Sequence, residues 1–317
     1  MEQNRFYYLL TKYRMSIFGL SAIWIFFRHT FFYNCFTYGL FDPIVRIGDC
    51  GVDVFLFLSS FGLYFSYKKN PVIKCFYKKR IIRILPTTIV LLLLLSFIDY
   101  SIDKWDINQL LSVKFWIGFI YSKYWFIGAI LFLYFIYHFL CNMVMKRSNM
   151  MIFISIIIGF SGIFLVKMCH VEVLNQLVVY FARFPVFVLG IVFSNKLSLF
   201  ENNKSIIALF LISIILLVSL PKDYSRKVYM FVVIFVIRYI PILLDKMPNI
   251  VNQFLAKIGK ASLEFYLIHV ALFSTGILSL VLSASTQTIA VLVSFFVVYV
   301  SSISFNKTFD LINKKLA

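Results

Sequence analysis

The residues of this chain that could carry chemistry stand out because they interrupt apolar sequence. His29 lies deep in the first long apolar segment. A helix starting at Met15 and rising about 1.5 Å per residue carries His29 about 20 Å along the span, past the bilayer midplane. A titratable group in hydrocarbon is costly and is a functional candidate for that reason. A neutral imidazole there can take the proton of a hydroxyl, as a general base does. Position alone is equally compatible with an interfacial histidine holding one hydrogen bond.

The second interruption is the run Lys78-Lys79-Arg80-Ile81-Ile82-Arg83, part of a stretch from Lys68 with seven cations in 16 residues. Arg80 and Arg83 are three apart and share a helix face. Guanidinium groups grip phosphate bidentately, and Lys79 adds charge beside them. Orientation signalling and anionic lipid headgroups are the simpler explanations of such a loop.

Two smaller clusters follow. Asp53 sits at the start of an apolar helix, where the helix dipole favours a carboxylate. It could orient His29 from a neighbouring helix or serve only as a helix-start charge. Glu264, Tyr266 and His269 form a polar patch in the block Ser262–His269. Tyr266 and His269 are three apart and share a face; Glu264 and His269 are five apart and do not. Arg183, two residues before Pro185 within a span, is a further polar candidate. Tyr124 and Trp125 read as an interfacial aromatic belt, and His138 and His170 as structural or interfacial.

The elements that must position these residues are membrane helices. The chain has 317 residues, 62% of them hydrophobic and 14% charged, far from the composition of a soluble domain. Ten apolar segments are expected at 15–35, 52–67, 81–98, 124–144, 150–168, 174–194, 205–220, 227–244, 262–282 and 288–306. Continuous apolar windows argue against an outer-membrane barrel, whose strands alternate. No polar stretch is long enough for a soluble domain, so residues 1–317 read as one all-α, polytopic membrane domain. The first segment reads as retained, because no cleavage site of small residues follows it.

The net charge of +18 is distributed as topology, not as a nucleic-acid surface. Of the 31 Lys and Arg residues, 20 fall in alternate loops on one side and nine on the other. The richer side is expected to be cytoplasmic, with both termini there, as an even number of spans requires. This predicts a multi-pass protein of the cell membrane. No RNA-binding motif is present. The five cysteines include no C-x-x-C pair; Cys35 and Cys50 share a loop and could pair, but scattered membrane cysteines are mostly small apolar fillers. The four histidines are dispersed, and no metal site is indicated.

Taken in order, several motifs resemble the acyltransferase 3 family of integral membrane acyltransferases. They are His29 in the first span, Gly51-Val52-Asp53-Val54-Phe55, Arg80-x-x-Arg83-Ile84-x-Pro86, Tyr124-Trp125-Phe126 with Tyr134, Arg183–Gly190, and Ser262–His269. The resemblance implies about ten membrane helices, an acyl-CoA donor on the cytoplasmic side and transfer to a hydroxyl at the other face. Acetyl-CoA is the implied donor and a glycan, such as a capsular or exopolysaccharide, the implied acceptor. Arg80, Arg83 and Lys79 would hold the CoA phosphates. His29 would act either as general base or as a transient acyl carrier, with Asp53 beside it.

Two positions depart from the family pattern. The arginine that the family sets with ten residues between it and the first-span histidine is replaced by Phe18, and the nearest upstream arginine is Arg14. The family's Ser-Gly reads Ser59-Ser60, which should restrict backbone approach at Ser60. A transporter or flippase for a lipid-linked or anionic substrate is the alternative reading; it would use the same cations with no covalent change to its cargo.

Overall fold

The computed structural model describes residues 2–33, 36–103, 124–171, 174–196, 203–219, 222–274 and 287–316. Among them every regular element is helical. The helices are α1 (Glu2–Phe32), α2 (Asp42–Arg46), α3 (Cys50–Lys69), α4 (Ile73–Asp103), α5 (Trp125–Met168) and α6 (Asn175–Asn195). They continue with α7 (Asn203–Ser219), α8 (Lys222–Lys246), α9 (Asn249–Lys260), α10 (Ser262–Ser274) and α11 (Gln287–Leu316). Each of the ten expected segments overlaps a helix.

Among the described residues, five helices are long and apolar enough to cross a membrane. The 44-residue α5 would be about 66 Å long if straight, twice the roughly 30 Å of hydrocarbon in a bilayer. It holds two expected spans, divided where Arg147 leaves helical geometry at φ −144° and ψ 64°. The exposed Phe135, Phe153, Phe164 and Phe296 point out of the bundle, as lipid-facing side chains do.

The bundle is centred on α3, whose residues are buried along most of its length. Against it pack α1 and α6. At the α3–α6 contact Ser60 is fully buried against Gly190, where a Cβ would collide with Ser60 Oγ and lie 2.5 Å from the Phe57 carbonyl oxygen. The close approach that a Ser-Gly pair would allow is therefore kept, because the missing side chain is on the opposite helix.

Three contacts bring both chain ends to one end of the bundle. Lys12 Nζ and Tyr13 Oη lie 3.1 Å and 2.8 Å from Asp245 Oδ1, tying α1 to the end of α8. Arg83 Nη1 lies 3.2 Å from Asp310, tying the start of α4 to the end of α11. This end also carries α9, an element not expected from the sequence. It buries Leu255 and Ile258 and exposes Ile250 and Phe254, the two-faced pattern of a helix suited to a membrane interface. Asn252 anchors it, donating to the Leu244 carbonyl at 2.8 Å and accepting on its own carbonyl from Ser16 at 3.0 Å.

Cys50 and Cys141 are buried free thiols, while Cys75 and Cys169 are exposed; Cys35 lies outside the described residues, as do Lys104, Lys114, Lys123 and residues 275–282 of the ninth segment. The aromatic belt expected at Tyr124 and Trp125 is corrected. Tyr124 is fully buried, and Trp125 stacks beneath the Arg183 guanidinium at 4.8 Å.

Candidate active site

Most of the expected residues gather around two cavities, one beside the middle of α1 and one beside its C-terminal end. The first, of about 550 Å³, opens at the end that holds both termini and is lined by Arg14, Ser59, Arg80, Arg83, Lys260 and Tyr266 among others. The second, of about 600 Å³, is lined by Arg28, His29, Asp49, Trp125, Arg183 and Tyr266 among others. The two share a wall made of Ile25, Val52 and Tyr266. Arg14 and His29 are fifteen residues apart on one helix, about 22 Å, so α1 runs past both cavities.

In the first cavity the cations divide into two kinds. Arg83 is neutralised: it lies 3.7 Å from Glu264 and 3.2 Å from Asp310, and it donates to the Lys260 carbonyl at 2.9 Å. Arg14 and Arg80 have no carboxylate partner among the described residues. Arg80 lies over the Phe76 ring at 4.6 Å, and Arg14 lies over the ring of Phe18 at 5.6 Å. Phe18 holds the place where the family sets its arginine. Arg14 is four residues, about one helical turn, earlier and so on the same face; its side chain reaches the cavity from there. The space for its guanidinium exists because residue 62 is glycine: a Cβ at Gly62 would lie 2.5 Å from Arg14 Cζ. Lys79 is exposed on the outside of α4 and does not line the cavity.

In the second cavity the partner of His29 is a second histidine. His29 Nδ1 lies 2.9 Å from His269 Nε2, with the rings stacked at 5.0 Å. His269 Nδ1 lies 2.7 Å from the Phe265 carbonyl oxygen, one helical turn back. That oxygen is only an acceptor, so His269 Nδ1 carries the proton. With both rings neutral, His269 Nε2 accepts and His29 Nδ1 donates. The chain of bonds assigns the tautomers and leaves His29 Nε2 with its lone pair. His269 is 1% exposed, sits behind His29 and does not line the cavity.

Asp53, expected beside His29, is instead paired with Arg183 at 3.8 Å. Both are buried, and a buried guanidinium attracts a carboxylate far more strongly than a neutral ring does. Glu264 faces away from His269, toward Arg83 and the Asn306 amide, which donates to it at 3.3 Å. Tyr266 remains on the face of His269, their rings 5.7 Å apart.

Arg28 and Asp49, 3.7 Å apart at the mouth of the second cavity, were not expected from the sequence; adjacency to His29 was the available signal. Among the described residues no group of three or more His, Cys, Asp or Glu is arranged to hold a metal ion.

The described residues form an all-helical bundle with a cavity on either side of a wall at Ile25, Val52 and Tyr266, and a histidine pair beside the second cavity. The acyltransferase 3 model, an acyltransferase domain, matches residues 19–306. The chain belongs to that family and is a membrane acyltransferase, which takes an acyl donor and an acceptor. Neither a curated protein nor a solved structure matches the chain.

Proposed function

We propose that the protein transfers an acetyl group from acetyl-CoA to a hydroxyl of an extracytoplasmic glycan, with His29 as general base. The observation that carries this reading is the placement of His29. Its Nδ1 is committed to His269, while the ring lines the second cavity, across the shared wall from the one that holds Arg14 and Arg80.

The cation-rich end faces the cytoplasm by the positive-inside rule, so the first cavity takes the donor. Arg14 and Arg80, unpaired with carboxylates, hold CoA phosphates, and Arg83 is held by Glu264 and Asp310 as a structural strut. Lys79 attracts the donor from outside the cavity. The pantetheine arm then points along α3 and α4 toward the shared wall at Ile25, Val52 and Tyr266. The second cavity has Arg28, Asn175, Gln176 and Lys167 around it and Trp125 as an aromatic side, a lining suited to a hydroxyl-rich sugar. Asp53 keeps Arg183 fixed against Trp125. His29 Nε2 takes the acceptor proton as the hydroxyl oxygen attacks the thioester, and returns it to the departing CoA sulfur.

The test is the O-acetyl content of the surface polysaccharide, read by NMR, with the wild-type protein and with His29→Ala at equal membrane levels. A defined O-acetyl signal lost only in His29→Ala is the expected result. Equal acetylation in both would overturn the assignment. Unchanged acetylation with altered amounts of surface polymer on gene removal would favour a flippase.

A further inference from the structure

Acyl transfer to a hydroxyl passes through a tetrahedral intermediate with negative charge on the former carbonyl oxygen. Hydrogen-bond donors aimed at that oxygen are commonly the largest single contribution to catalysis. The position of the reacting carbonyl is constrained here: donor and acceptor reach it from different cavities, so it must lie at the wall they share. Of the three residues in both linings, Ile25 and Val52 are aliphatic, and only Tyr266 offers a polar atom.

Three further features single out Tyr266. Its hydroxyl is buried; the Phe126 backbone N–H approaches its oxygen, but among the described residues nothing accepts its proton, an expensive arrangement unless something else occupies the site. Its ring is held by Phe126 at 5.3 Å and Tyr124 at 6.4 Å, so the hydroxyl is preorganised. Phe126 belongs to the first turn of α5, where the backbone N–H groups have no partner within the helix and the dipole favours negative charge.

We propose that the Tyr266 hydroxyl donates a hydrogen bond to the thioester carbonyl oxygen and stabilises the oxyanion; this rests on the transfer reaction proposed above. The acceptor oxygen forms a bond to the carbonyl carbon while its proton moves to His29 Nε2. The oxyanion, held by Tyr266 O–H, then collapses; the C–S bond breaks and CoA leaves as the thiol with the proton from His29. Tyr266 keeps its own proton throughout.

The experiment uses purified full-length protein in nanodiscs, wild type and Tyr266→Phe. The first readout is transfer from acetyl-CoA to the glycan. The second is the infrared stretch of a bound, ¹³C-carbonyl ketone analogue of acetyl-CoA, with a methylene inserted between sulfur and carbonyl. Tyr266→Phe keeps the ring and its packing, so the melting temperature should match wild type and the analogue should still bind, weakened no more than about tenfold by loss of one hydrogen bond. We expect kcat to fall about 10²–10³-fold with KM for acetyl-CoA rising no more than about tenfold. The carbonyl stretch should shift to lower frequency on binding wild type and not on binding Tyr266→Phe. An active wild type with an equally active Tyr266→Phe, or the same carbonyl stretch in both, overturns the role of Tyr266 alone. A wild type that transfers nothing from acetyl-CoA overturns the proposed reaction and this role with it.

Discussion

His269 gives the sharpest test of the histidine pair, because it touches neither cavity. Replacing it with Ala removes the acceptor of the His29 Nδ1–H, which lies 2.9 Å from His269 Nε2. In the resting enzyme that bond selects the tautomer with the lone pair on Nε2. In the transition state His29 becomes cationic and the bond becomes charge-assisted, with a net contribution of about 1.5–3 kcal/mol. At about 1.4 kcal/mol per factor of ten, kcat should fall roughly 10- to 150-fold. KM for acetyl-CoA should stay within about twofold, since His269 is outside both linings. His269→Gln can offer an amide oxygen to the same N–H and should recover part of the loss. His29→Ala removes the base itself and should cost more, about 10²–10⁴-fold. The assay is steady-state transfer by purified protein in nanodiscs, with thermal unfolding as the check on folding. Wild-type kcat in His269→Ala would refute the tautomer argument, as would equal losses in the Ala and Gln variants.

Other variants probe the first cavity, proposed to take the donor, and the core. Arg14→Ala and Arg80→Ala should each raise KM for acetyl-CoA about 10–100-fold with kcat little changed, by loss of a charged hydrogen bond to phosphate; an unchanged KM in both would mean that these cations serve orientation only. Gly62→Ala should imitate Arg14→Ala in KM while leaving the melting temperature near wild type, because the new Cβ meets only the movable end of the Arg14 side chain; a loss of folded protein would contradict this. Breaking the buried Arg183–Asp53 pair, 3.8 Å apart, by Asp53→Leu should destabilise by about 3–5 kcal/mol. The double change Asp53→Leu with Arg183→Met should recover most of that in thermal unfolding without restoring activity. Incubation with radiolabelled acetyl-CoA and no glycan should leave no label on the protein; label at His29 would replace direct transfer with an acyl-enzyme route.

What the sequence determined by itself is the set of properties local to a window of residues. The cost of placing a polar group in hydrocarbon is paid segment by segment, so the apolar segments and the cation-rich loops were legible without any fold. Motif order added the family. The break at Arg147 was legible too, since charge at Lys146 and Arg147 separates two apolar runs. The amphipathic α9 escaped because Lys257 and Lys260 dilute its apolar face in any window average, although Leu255 and Ile258 keep helical spacing. The rest depended on which helices meet. His29 and His269 are 240 positions apart, and only the packing of α1 against α10 made them a pair. Arg14 enters the first cavity from one turn below Phe18 because Gly62 on another helix leaves room. Asp53 turned to Arg183 rather than His29 because α3 packs on α6 and opposite charges dominate at low dielectric. The sharing of Tyr266 between two cavities has no signature in sequence at all, because a cavity is bounded by several helices at once and no single segment encodes it.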